Sequence, residues 1–151
     1  MSFKTGKRRL YKAGLNKLIE WVEAKNWEVL FGNNVIDEMT QFDRTITIST
    51  RSKIENQLYA CLHECGHLLI HINKNFSKKY PNSYRIDTLP TKHRGLARSH
   101  KYQVDVIAEE IEAWRKGKIL AKRLGIYINE NNYNDEMSKY VFTYIKSAGK
   151  K

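Results

Sequence analysis

Between Leu58 and His71 the chain reads Leu-Tyr-Ala-Cys-Leu-His-Glu-Cys-Gly-His-Leu-Leu-Ile-His, and no other run constrains the fold as much. Its apolar residues recur at helical spacing. Leu58, Cys61, Leu62, Cys65 and Leu69 make one stripe, and Ala60, His63, Glu64, His67 and His71 fall on a neighbouring one. A helix that turns the first stripe to a core carries imidazoles and carboxylate beside that core, where polar groups need partners. The rest of the chain must therefore pack against one side of this helix and bring partners to the other.

Within the run, His63-Glu64-Cys65-Gly66-His67 has the form H-E-x-x-H. Four residues are slightly more than one helical turn, so both imidazoles lie on one face and can grip one zinc ion. Glu64 borders that face and reaches a water at the same metal. His71 lies a further turn on, about 12 Å from His63 in an unbroken helix, too far to share the ion. Ser52 with Glu55 reads as a capping box that starts the helix. Cys61 and Cys65 sit one turn apart on it, where a disulfide would staple nothing; they read as small buried residues.

The flanking sequence predicts an α+β domain with a small sheet of about three strands packed against the motif helix. At 151 residues the chain suits one domain, residues 1–151. Leu10 to Lys25 reads as an amphipathic helix with Leu15, Leu18, Ile19 and Val22 on one side. Trp27 to Phe31, the turn signal Gly32-Asn33-Asn34 and the pair Val35-Ile36 suggest a short hairpin. Arg44 to Thr50 alternates isoleucine with hydroxyl residues and is the clearest strand. A long helix is expected from about Ser99 to Leu124, stopping at Gly125. Asn134 is placed to cap a last helix with Met137, Tyr140, Val141, Tyr144 and Ile145 facing the core.

Both prolines, Pro81 and Pro90, fall between Asn73 and Ser99, where helical and strand patterns dissolve into a predicted basic loop at about 73–99. From Lys74 to Lys101 eight basic residues face the single acid Asp87, a large part of a formal net charge of +11. Such a surplus can draw nucleic acid by long-range attraction. An apolar share of 41% lies outside the disordered range. No window is apolar enough to span a bilayer and Met1 to Arg9 has no apolar core, so a cytoplasmic protein with no membrane partner is expected.

A catalytic zinc commonly takes three protein ligands. The helix after the loop offers Asp105, Glu109, Glu110 and Glu112. Glu110 shares a face with Val106, Ala113, Gly117, Leu120 and Leu124, a surface small in its middle, which would let this helix approach the motif helix closely. Glu110 is thus the first choice for third ligand and Glu109 the second, while Glu112 reads as solvent-facing.

A strand, an H-E-x-G-H helix, a variable loop and a helix bearing E-x-x-A together resemble the ImmA/IrrE-type zinc metallopeptidases. His63, Glu64, Gly66 and His67, then Glu110 and Ala113, carry the resemblance, which spans roughly residues 44–124. Where that family follows its glutamate with Ala-Asn and a Phe-Ala pair, this chain has Ala113-Trp114, Lys116 and Gly117. The resemblance implies a zincin-like fold of gluzincin type and cleavage of a protein or peptide substrate, such as a DNA-bound repressor. Zinc would be held by His63, His67 and Glu110, with Glu64 as the catalytic base. Tyr80, Tyr84, His93, His100 and Tyr102 are candidates to steady the oxyanion. The Arg44–Thr50 strand, as a sheet edge, would bind substrate backbone by strand addition.

Two other readings stay open. A protease resembling the SprT-like, DNA-associated enzymes would take a third histidine, His93 or His100, and touch phosphate through the basic loop. A non-catalytic basic adaptor would keep the zinc site only as a vestige.

Overall fold

In the chain's computed structural model, which describes residues 3–73, 75–83 and 99–149, helices pack against a small sheet. The elements are α1 (Phe3–Glu23), β1 (Glu28–Gly32), β2 (Glu38–Thr40), β3 (Thr45–Ser49), α2 (Ile54–Ile72), α3 (Phe76–Lys79), α4 (His100–Leu124) and α5 (Glu130–Gly149). The architecture is α+β with a three-stranded mixed sheet.

The alternation of β3 decides the sheet's faces. Ile46 and Ile48 are fully buried, while Thr45, Thr47 and Ser49 turn to the other, half-open face. β3 is the central strand, parallel to β1 and antiparallel to β2. That corrects two sequence expectations. Trp27 to Ile36 forms no hairpin, because β1 finds its partner beyond the turn in β3; the hairpin is β2–β3, closed at Gln41–Arg44 with Arg44 at φ 54. And β3 has neighbours on both sides, so it cannot take a substrate strand; the edge strands are β1 and β2, of which β2 borders the cleft.

α2 fills the middle. Leu58, Tyr59, Cys61, Leu62, Cys65 and Leu68 are wholly buried, against Leu15, Leu18 and Val22 of α1 and against the isoleucines of β3. Both cysteines are free thiols in that core. The predicted capping box does not form. Lys53 is the N-cap and makes no side-chain cap bond. Glu55 turns inward instead, where Tyr11, Tyr59 and Asn132 donate to its Oε2 at 2.9, 2.6 and 2.9 Å.

α1 starts upstream of Leu10, at Phe3, and ends at Glu23, before the expected Lys25, with a turn through left-handed Asn26 following it. α4 has the predicted ends: the Ser99 side chain accepts from the Tyr102 N–H, and Gly125 at φ 67 closes the helix. α5 begins earlier than expected. Its cap is Asn129, whose side chain accepts from the Asn132 N–H at 3.0 Å, while Asn134 lies inside the helix and accepts from Lys118. Val141 is buried, but Tyr140, Tyr144 and Ile145 are largely exposed, not core.

The predicted loop holds α3, tied to α4 by Lys79 on Glu112 at 2.7 Å and by the Asn82 N–H on Asp105 at 2.9 Å. Glu112 therefore faces α3 and is not freely solvated. Tyr84, Pro90, His93 and the basic residues Lys74, Arg85, Lys92, Arg94 and Arg98 lie outside the described residues. Among the described residues no helix is long and apolar enough to cross a membrane.

Candidate metal centre

The site follows from how closely α2 and α4 cross. A Cβ on Gly66 would collide with the carbonyl oxygen of Ala113, and one on Gly117 would stand 2.5 Å from the Leu62 carbonyl. Only glycine permits that approach. Ala113 and Gly117 are the small middle of the Glu110 face, so backbone contact sets Glu110, one turn before Ala113, opposite His63 and His67.

Three side chains converge there. Glu110 Oε2 lies 2.9 Å from His63 Nε2, Glu110 Oε1 lies 2.9 Å from His67 Nε2, and the two Nε2 atoms are 3.1 Å apart. Donors on a tetrahedral zinc with bonds of about 2.0 Å stand about 3.3 Å apart. The observed spacing is slightly tighter, and the set of two imidazole nitrogens and one carboxylate suits a divalent cation. His63, His67 and Glu110 form a group that could hold a metal ion. Burial alone would raise the Glu110 carboxyl, but hydrogen bonds from His63 and His67 hold it well below the usual carboxylate range. Burial opposes charge on His67 too, yet the carboxylates of Glu109 and Glu110 lift it to about 10. A cavity with this much negative character attracts a cation.

Glu64 sits beside the trio, buried, with Oε1 3.6 Å from His63 Nδ1. Burial pushes its carboxyl up against the pull of His63 and His67, and the Glu110 charge adds to the rise. Such a group holds a proton more readily than an ordinary carboxylate.

The trio opens on a cleft of about 810 Å³ bounded by β2, α2, α4 and α5. Asp37, Met39 and Gln41 line it on the sheet side and Tyr140, Thr143 and Tyr144 on the helix side. Partial burial and the negative charge of the neighbouring Glu110 carboxylate both raise the Tyr144 phenol.

The four sequence-predicted residues, His63, Glu64, His67 and Glu110, are thus brought together. The second choice, Glu109, is not in their set: its Oε1 lies 3.3 Å from His67 Nδ1 and 3.1 Å from His71 Nε2. Of the oxyanion candidates, Tyr80 is buried with Ile70, Phe76 and Ala113, and Tyr102 does not line the cleft. His100 opens α4 ten residues before Glu110, about 15 Å along the axis. Tyr84 and His93 lie outside the described residues. Sequence reasoning missed Trp114, which stacks on His63 at 4.4 Å and 8° and holds its ring plane. It also missed Tyr140 and Tyr144, whose helical spacing with Val141 suggested core.

Searches against protein-family models, curated proteins and solved structures found no match.

Proposed function

We propose that this chain is a zinc-dependent peptidase of zincin-like architecture that hydrolyses a peptide bond in a protein substrate. One observation carries the reading: two histidines and Glu110 converge on one point while Glu64, not part of that trio, stands beside it in an open cleft. The sequence resemblance to the ImmA/IrrE-type enzymes points the same way.

A zinc ion held by His63, His67 and Glu110 would supply Lewis acidity, polarising a carbonyl and making water acidic near neutral pH. Glu64 then takes the proton of the attacking water and hands it to the leaving amine, a role that its raised proton affinity suits. Trp114 keeps His63 in plane. Tyr144, in the cleft beside Glu110, is the phenol best placed to donate to developing negative charge. The outer edge of β2 borders the cleft, so an extended substrate would pair there, with its scissile bond reaching towards Glu64. A formal charge of +11 would favour substrates that sit on nucleic acid.

The test pairs metal content with cleavage. Wild type and Glu64→Gln should each bind one zinc, and Glu110→Ala should lose it. Once a cleaved protein is found, Glu64→Gln should cut it about 10²- to 10⁴-fold more slowly. Zinc bound equally by Glu110→Ala, or full activity in Glu64→Gln, would overturn the reading.

A further inference from the structure

The metal trio leaves three neighbouring groups unexplained: Glu109, His71 and the Nδ1 of His67. Glu109 is the residue before a proposed ligand, and on a helix its neighbour should point about a quarter-turn away, towards solvent. It is buried instead. A single oxygen, Oε1, receives both His67 Nδ1 at 3.3 Å and His71 Nε2 at 3.1 Å. His71 is itself held from behind, its ring 4.3 Å from that of Phe76 in α3. α3 is fastened to α4 through Lys79 and Glu112.

We infer that Glu109 and His71 are positioning residues for the metal ligand His67, and that α3 is the buttress that keeps them in place. The inference rests on the zinc-site reading above. An imidazole can present either nitrogen to a metal, and the choice is set by the hydrogen bond that the other nitrogen makes. Here Glu109 claims the Nδ1 proton, which directs Nε2 to the point where His63 Nε2 and Glu110 converge. Glu109 alone could swing out to water. The second bond from His71, one turn along α2, fixes its carboxylate, and Phe76 restricts the His71 ring in turn. His71 is too far along the helix to join His63 on one ion; it acts through Glu109. This chain of contacts runs from a segment thirteen residues beyond His63 back to the metal point, with His71 also bordering the cleft.

The same three groups, His67, His71 and Glu109, are also close enough to hold a second cation. That arrangement would need His67 to bridge two ions with both nitrogens. Hydrogen bonding explains the geometry with one ion and no deprotonated imidazole, and the two arrangements differ in stoichiometry.

The experiment measures zinc stoichiometry and zinc affinity, by chelator competition, for wild type, Glu109→Ala, Glu109→Gln and His71→Ala. The His67 Nδ1–H signal is followed by NMR in the zinc-loaded proteins. Removing an outer hydrogen-bond partner of a metal ligand typically costs about 10- to 100-fold in affinity. Glu109→Ala should lose about that much and lose the protected Nδ1–H signal. Glu109→Gln keeps an oxygen able to accept both N–H groups, so it should recover most of the affinity and the signal. His71→Ala should fall between them, and its ring is partly exposed, so the fold should stand. Unchanged affinity and an unchanged Nδ1–H signal in Glu109→Ala would overturn the inference while leaving the zinc site intact. Two zinc ions per wild-type chain, falling to one in both His71→Ala and Glu109→Ala, would overturn it in favour of a second cation site. No zinc in wild type would instead remove the reading on which the inference rests.

Discussion

Two carboxylate clusters sit two to three turns apart on α2, and they are built from opposite materials. Around Glu55 the partners are two phenols and an amide, Tyr11, Tyr59 and Asn132, joining α1, α2 and α5. Around Glu64, Glu109 and Glu110 the partners are imidazoles, and the cluster opens on the cleft. Burial alone would raise the Glu55 carboxyl, but hydrogen bonds from Tyr59, Asn132 and Tyr11 bring it below its ordinary value. Those donors do not titrate near neutral pH, so the first cluster keeps one charge state where proteins work. In the second, carboxylates and an imidazole shift one another in opposite directions: Glu109 and Glu110 are lowered and His67 is raised. One cluster is a closed joint between helices, and the other opens on a cleft.

The largest expected effect would break both clusters at once. In Gly66→Ala the new methyl meets the Ala113 backbone, which cannot rotate away as a side chain would. Overpacking commonly costs about 1–3 kcal/mol, and a clash with main chain should reach or exceed that upper figure. Chemical denaturation would read it; wild-type stability would show that the two helices are not locked as described. Glu55→Gln separates the clusters. Replacing the acceptor of three bonds should cost about 1–3 kcal/mol, yet zinc affinity should stay at the wild-type value, because the sites share no partner. A parallel fall in zinc affinity would show the clusters to be coupled.

Acidity and alkalinity distinguish them next. Glu55, Glu109 (lowered to about 2 by His67 and His71 against the opposing effect of burial) and Glu110 all have depressed folded values. Their stabilisation is present above the ordinary carboxylate range and is lost as pH falls through the folded values. His67 behaves in the opposite sense. Its folded value near 10 lies above its ordinary 6.5, so its contribution is full below 6.5 and is lost as pH rises towards 10. Thermal midpoints of chelator-treated protein should therefore decline between pH 6.5 and 10, with the same slope in Glu55→Gln. A flat wild-type profile would show that the carboxylates hold no proton on His67. The smallest effect tests the border of the Glu55 cluster. Asn129→Ala removes the α5 cap and should cost about 1 kcal/mol, against less than about 0.5 kcal/mol for the surface residue Asn134→Ala.

Sequence reasoning could bring His63, His67 and Glu110 together because that needed only helical periodicity. His63 and His67 share a face at spacing four, and Glu110 was singled out by the small residues that follow it on its own face. The joint was illegible for the opposite reason. Ser52 and Glu55 fit a local capping pattern, but Tyr11 and Asn132, 44 and 77 residues from Glu55, outbid it. β2 is three residues, Glu-Met-Thr, too short to show alternation, so the sequence pattern gives β3 no second neighbour. Tyr140 and Tyr144 lie at core spacing around Val141, and periodicity cannot tell an apolar core from an aromatic cleft wall. Whether Glu109 points to water or to His71 depends on the crossing of two helices, which no single helix records.

That crossing has a mechanical consequence. With Gly66 seated on the Ala113 carbonyl and Gly117 on that of Leu62, neither helix can slide or roll without main chain striking main chain. The floor of the cleft is a rigid plate, and any widening to admit a bulky chain must come from its walls. The remaining wall is α5, fastened by Tyr133 on the Trp114 carbonyl, by the Asn129 cap, by Tyr140 stacked on Trp114 and by buried Val141, while Phe142 and Ile145 stay exposed. Amides in the last turn of α5, beyond Val141, should therefore exchange with solvent well before those flanking Gly66.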